Sequence, residues 1–142
     1  LQRFGLWTVA RYAQRAILFG ALPSRAGARF LGRGRLFVSP RDNRGLRLRR
    51  HVGVLQPLVS FTWRRIIELI QPTAVIDIGA NMGWYSLLIE RLASARVDIF
   101  AFEPDPDNFG LLTENLALNA SAMITPVQQA LAETTGKSQL HK

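Results

Sequence analysis

Residues 75–86 read Val-Ile-Asp-Ile-Gly-Ala-Asn-Met-Gly-Trp-Tyr-Ser (VIDIGANMGWYS). Ala74 to Ile78 is a short, β-branched run, the composition of a strand buried on both faces. Gly79 to Gly83 is a turn, and Trp84 to Ala93 has helical character. Gly79 and Gly83 let the backbone turn tightly and approach a ligand closely. The first amides of the following helix are then expected to be free for a carboxylate or phosphate. Asp77, at the strand's end, sets a negative charge beside that turn, which repels phosphate and attracts an ammonium. A ligand carrying both carboxylate and ammonium satisfies the pair. The competing structural reading is a tight strand-to-helix turn with Asp77 as a helix cap.

Downstream, Val97 to Phe102 reads as a second strand. Asp105 is placed to cap a third helix with Pro106 at its first position, and Phe109, Leu112 and Leu116 are its expected inner stripe. Met123 to Leu131 is a third strand candidate, and Pro126 within it cannot donate to a ladder, which an edge position tolerates. From Thr73 onward the order is β-α-β-α-β, the mark of a parallel sheet with crossover helices. Such sheets bind ligands at the carboxyl ends of their strands. Glu103 lies there, 24 residues after Gly79, in Phe102-Glu103-Pro104-Asp105. A carboxylate about 20 residues beyond a glycine turn can accept hydrogen bonds from both ribose hydroxyls. Pro104 ends the strand and so sets the direction of Glu103.

Upstream, Leu55 to Gln71 is expected to be helical, with Leu55, Leu58, Val59, Trp63, Ile66 and Ile70 at near-helical spacing and Pro72 as its stop. Leu36 to Ser39 and Leu46 to His51 are expected as short strands around residues 40–45, after Pro23 and the glycines at 27, 32 and 34 break regularity. Residues 2–20 read as an amphipathic helix. Arg3, Arg11, Gln14 and Arg15 lie on one side, and Leu6, Val9, Ala13, Ala16 and Ile17 on the other.

The 142 residues suit one domain, and the 48% hydrophobic fraction can fill a core. Cysteine is absent, which excludes disulfides and thiolate metal sites. No apolar run approaches the ~20 residues of a membrane span. The net charge of +8 is unevenly spread: residues 1–50 hold twelve arginines against one acid, Asp42, and residues 51–142 hold six Lys/Arg against nine acids. Two units are therefore expected, a basic N-terminal arm (1–50) and the start of a sheet domain (51–142). A basic arm can meet an anionic membrane surface, nucleic acid or an acidic partner. No stacking motif of aromatic and basic residues marks a nucleic-acid module. His51 and His141 are far apart and do not suggest a metal site. Asp105 and Asp107 are read as a helix cap and a first-turn acid rather than a cation site.

Val75 to Ser86, together with Phe100 to Asn119 (FAFEPDPDNFGLLTENLALN), closely resembles the FkbM-type methyltransferases. Ala130 to Glu133 and Gly136 to Leu140 look like that family's next segment, so the resemblance covers about half the chain. It implies a Rossmann-like class I methyltransferase fold, of the α/β type, and S-adenosylmethionine as methyl donor. It also implies O-methylation of a hydroxyl on a sugar or secondary metabolite. Carried onto this chain, Asp77, Gly79, Ala80, Asn81 and Gly83 hold the methionine part, and Glu103 with Pro104 the ribose. The acidic residue that many such enzymes place after the third strand has no counterpart in Gln129-Ala130-Leu131. The resemblance also implies that the third strand is a sheet edge and that strands are lacking after it. The chain is therefore expected to be a fragment, truncated after its third strand and inactive alone. Its start at Leu1 rather than Met points the same way. The expected location is the cytoplasm, with the basic arm as a candidate membrane contact.

Two rival readings stand beside this one. A nicotinamide-dependent Rossmann oxidoreductase would want G-x-G-x-x-G, but Asn81 stands at the second glycine, and Asp77 would oppose a pyrophosphate. A non-enzymatic nucleic-acid or membrane-surface module would rest on residues 1–50 alone. The general base, the acceptor and the oligomeric state are not legible in the sequence.

Overall fold

The computed structural model describes residues 26–31, 34–39, 44, 48 and 54–136. The amphipathic helix expected at 2–20 lies outside them. The described elements are strand β1 (Ala26–Phe30), strand β2 (Gly34–Val38), helix α1 (Pro57–Ile70), strand β3 (Ala74–Ile78), helix α2 (Trp84–Leu92), strand β4 (Asp98–Phe102), helix α3 (Pro106–Leu118) and strand β5 (Ile124–Val127).

β3, β4 and β5 form a parallel sheet in the order β3-β4-β5. Ile78 pairs with Phe102 and Phe102 with Val127, so the strands' carboxyl ends finish level. Pro126 pairs with Ala101, and β5 has β4 as its one partner among the described residues, the edge position that proline requires.

Local sequence explains the helix ends. Asp105 stands in extended backbone, and its carboxylate accepts from the N–H groups of Asp107 (2.9 Å) and Asn108 (3.0 Å), with Pro106 following it. α1 starts on Pro57 and ends where Gln71 turns left-handed, one residue before Pro72. Glu90 of α2 accepts from Ala122 N–H (3.0 Å) and Met123 N–H (2.9 Å), which fixes the chain's entry into β5.

α2 and α3 lie against one face of the sheet, and α1 packs on α2 at that side. Ile67, Ile89, Val97 and Ile99 form one buried cluster between α1, α2 and the strands. A second, larger cluster holds Trp84, Leu87, Leu112 and Leu116 together with Phe30, Leu36 and Val38. The opposite face carries Ile76 (61% exposed), Ile78 (67%) and Phe100 (40%).

Three expectations need correction. Ala74–Ile78 is a strand, but not one buried on both faces: among the described residues nothing covers its Ile76 and Ile78 side. The stripe expected to bury α1 is largely solvent-facing, with Leu58 78% and Ile70 68% exposed, and Ser60 and Ile67 face inward instead. α1 meets the molecule along a narrow line on α2, so most of its apolar surface has no partner among these residues. Finally, the strand around Leu36 pairs upstream rather than downstream. β1 and β2 form an antiparallel hairpin, Ala26 opposite Val38 and Phe30 opposite Gly34, while residues 44 and 48 are helical. Gly27 and Gly34, two of the glycines read as breaks, lie in the hairpin's strands. Its inward residues, Ala28, Phe30, Leu36 and Val38, alternate as a half-buried ribbon requires. A Cβ on Gly34 would lie 2.9 Å from the Phe30 ring.

Candidate functional site

The glycine-containing turn leaves β3 beside the end of β4. Gly79 and Ala80 both donate their N–H to Phe102 O at 2.9 Å, which fastens the turn across the two strand ends. Gly79, Asn81 and Gly83 have φ values of 76°, 52° and 83°, all left-handed. At Gly83 glycine is required twice over, by that backbone and because a Cβ would meet Leu112 Cδ1 at 2.6 Å. At Gly79 nothing lies within 4 Å of where a Cβ would stand, so this part of the turn is open to a ligand.

The two acidic residues converge on this turn. Glu103 is only 5% exposed, and its carboxylate accepts from Asn81 N–H at 2.8 Å and from Asp105 N–H at 3.0 Å. Each carboxylate oxygen has used one of about two acceptor directions, so the group retains capacity for hydroxyl donors. Asp77 accepts from Ser86 Oγ at 2.6 Å and from the Ser86 backbone. Burial pushes the Asp77 carboxyl above its usual value, the Ser86 hydrogen bonds oppose that rise, and the Glu103 charge adds to it. Asp77 therefore joins the first turn of α2, the capping role weighed from the sequence, and holds a charge whose burial favours a cationic neighbour.

Within the turn itself the backbone donors are largely committed. Those of Gly79, Ala80, Asn81 and Gly83 all donate within the protein, Gly83 to Ala80 O at 2.8 Å. A cavity of about 220 Å³ opens over residues 79–82, and Arg44, Gln56 and Tyr85 also line it. The Tyr85 hydroxyl donates to Gln56 Oε1 at 2.7 Å. Glu103 and Pro104 are not among the described residues that line this cavity.

Two contributors escaped the sequence reading. Asn115 of α3 is fully buried and makes three hydrogen bonds: it accepts from Phe37 N–H (2.6 Å) and donates to Phe37 O (2.9 Å) and Met82 O (2.8 Å). One amide thus joins the hairpin to the turn. Its position in the inner stripe beside Leu112 and Leu116 was the available signal. Arg44 is the second, and one arginine among twelve in the first fifty residues carries no local signal.

No family model matches the chain. It is 35% identical over 60 residues to hexuronic acid methyltransferase AglP of Haloferax volcanii, covering 42% of this chain and 23% of that protein. It is 38% identical over 63 residues to methyltransferase sdnD of Sordaria araneosa, covering 44% and 24%. Among solved structures, the SAM-dependent methyltransferase from Agrobacterium tumefaciens superposes with a TM-score of 0.55 at 19% identity, over 78% of this chain and 34% of that one. The chain therefore has the Rossmann-like α/β fold of the class I methyltransferases, and it spans about a quarter of the length of the curated relatives it matches.

Proposed function

We propose that this chain is the cofactor-binding part of an S-adenosylmethionine-dependent methyltransferase, of the FkbM type that its sequence resembles. The hydrogen bond from Asn81 N–H to Glu103 at 2.8 Å carries the reading. It joins the strand-end acid to the open glycine turn, so one ligand can touch both. Asp77 would face the ammonium of the methionine part, with Gly79, Ala80, Asn81 and Gly83 shaping its bed. Glu103, with Pro104 behind it, would take the ribose hydroxyls. The open space at Gly79 and the unspent acceptor capacity of Glu103 fit such a ligand. When bound, the cofactor supplies a methyl group already activated by a sulfonium. The protein's share is then to bind, orient and exclude water.

The likeness to a hexuronic acid methyltransferase supports a hydroxyl of a sugar or related metabolite as acceptor. A nicotinamide reading is disfavoured by Asn81 at the second glycine and by the buried carboxylate of Asp77 where a pyrophosphate would lie. The test is titration of the chain with S-adenosylhomocysteine and, separately, NAD, followed through the backbone amide signals of residues 79–83. Shifts with the former and none with the latter are expected. The reverse pattern would replace this reading with an oxidoreductase.

A further inference from the structure

A carboxylate entering the cavity over residues 79–82 meets three turn amides that are already partnered. Those of Gly79 and Ala80 donate to Phe102 O and that of Asn81 to Glu103. Asp77 and Glu103 lie close enough for one to feel the other's charge, and a third negative charge beside them is repelled. Arg44 lines the same cavity, and among its described lining residues it is the one that carries a charge. Burial raises the Tyr85 phenol, the Asp77 charge adds to that rise and the Arg44 charge opposes it, so this lining residue feels both charges.

We propose that Arg44 is the carboxylate-binding residue of this cavity. The guanidinium fork matches a carboxylate in two parallel hydrogen bonds. Gln56 and Tyr85, joined at 2.7 Å, form the polar rim beside it. Two sources can bring that carboxylate: the aminoacyl tail of the methyl donor, which rests on the reading proposed above, and an acidic sugar acceptor, which does not.

The test compares the native chain with Arg44→Ala and Arg44→Lys. The ligands are S-adenosylhomocysteine, 5′-methylthioadenosine (which lacks the aminoacyl tail) and glucuronate. Amide shifts of residues 79–83 report even millimolar affinities. The melting temperature of each variant is measured beside its affinities, and amide signals outside residues 79–83 that match the native chain show that an affinity change belongs to the site. Arg44→Ala is expected to weaken a carboxylate ligand about five- to tenfold, the scale of one partly screened charge-assisted contact. Arg44→Lys should fall between, and added salt should weaken the native chain more than Arg44→Ala. Loss for S-adenosylhomocysteine with methylthioadenosine unchanged assigns the donor's tail. Loss for glucuronate alone assigns the acceptor. If Arg44→Ala weakens neither carboxylate ligand, the proposal is wrong. A native chain that binds neither nucleoside refutes the methyl-donor reading, and the glucuronate titration then decides the role of Arg44 by itself.

Discussion

Glu103 combines burial with two backbone donors, and a third set of donors from a ribose would complete its acceptor shell. Glu103→Ala should remove about 1.5–3 kcal/mol of S-adenosylhomocysteine affinity, the range for hydrogen bonds to a charged group. Calorimetry well below the melting transition measures it, and an unchanged Kd would remove Glu103 from the site. Asp77 behaves differently because its carboxyl lies above the usual range, with burial as the leading cause. An acid whose folded value is raised takes up its proton more readily when folded. Its contribution to stability is therefore fully present below the unfolded value and is lost as pH rises through the folded one. At neutral pH the buried charge is a liability that function retains. Asp77→Asn should thus raise the melting temperature at pH 7, and the gain should shrink as pH falls through the carboxylate range. A gain that grows toward acid would contradict the sign. The same substitution should weaken S-adenosylhomocysteine binding, since the ammonium loses its counter-charge.

Elements meet at two places where a small change has a large reach. Gly83 begins α2 in left-handed backbone and presses on Leu112 of α3. Gly83→Ala must move Leu112 or the turn, and a cost of about 1–3 kcal/mol is expected, as for other overpacked sites. Urea unfolding reads it as a shifted midpoint with an unchanged slope. Asn115 is the hinge between the hairpin and the turn. Asn115→Leu keeps the branched outline with somewhat more bulk but strands Phe37 N–H, Phe37 O and Met82 O, and each buried orphan costs about 1–3 kcal/mol. The expected outcome is a loss of stability larger than that of Gly83→Ala. Amide exchange should also rise in both β2 and residues 79–83, two segments far apart in sequence. Faster exchange in β2 alone would mean that the turn does not depend on the hairpin.

At the scale of the whole molecule, the described residues leave one sheet face covered and one bare. Ile76, Ile78 and Phe100 on the bare side are exposed, as are Leu58 and Phe61 on α1, and exposed apolar patches favour association. The outer edge of β3 also has no strand beside it among the described residues, and unpaired edges invite association. The double substitution Ile76→Thr with Ile78→Thr should reduce concentration-dependent self-association in sedimentation velocity. It should leave the melting temperature nearly unchanged, because these side chains already face water. A marked drop in melting temperature would show that this face is buried in solution.

Much of this was legible in the chain itself because it is written in local chemistry. The β-branched run before Gly79 forms β3, Asp105 and Pro106 start α3, and Pro126 sits on an edge strand. Each follows from backbone sterics or from hydrogen-bond supply within a few residues. The 24-residue interval from Gly79 to Glu103 likewise announced two strand ends side by side, because one helix and one strand fill that interval. What required the tertiary structure is everything decided by partners distant along the chain. Alternation suits an upstream or a downstream strand equally well, so only packing against α3 and Trp84 tells which strand pairs with β2. Periodicity locates an apolar stripe on α1 but not whether anything lies against it. Nothing local tells that the amides of Gly79 and Ala80 are taken up by the end of β4. Asn115 and Arg44 gain their roles solely from what the fold brings within reach, Phe37 and Met82 for one and the cavity wall for the other.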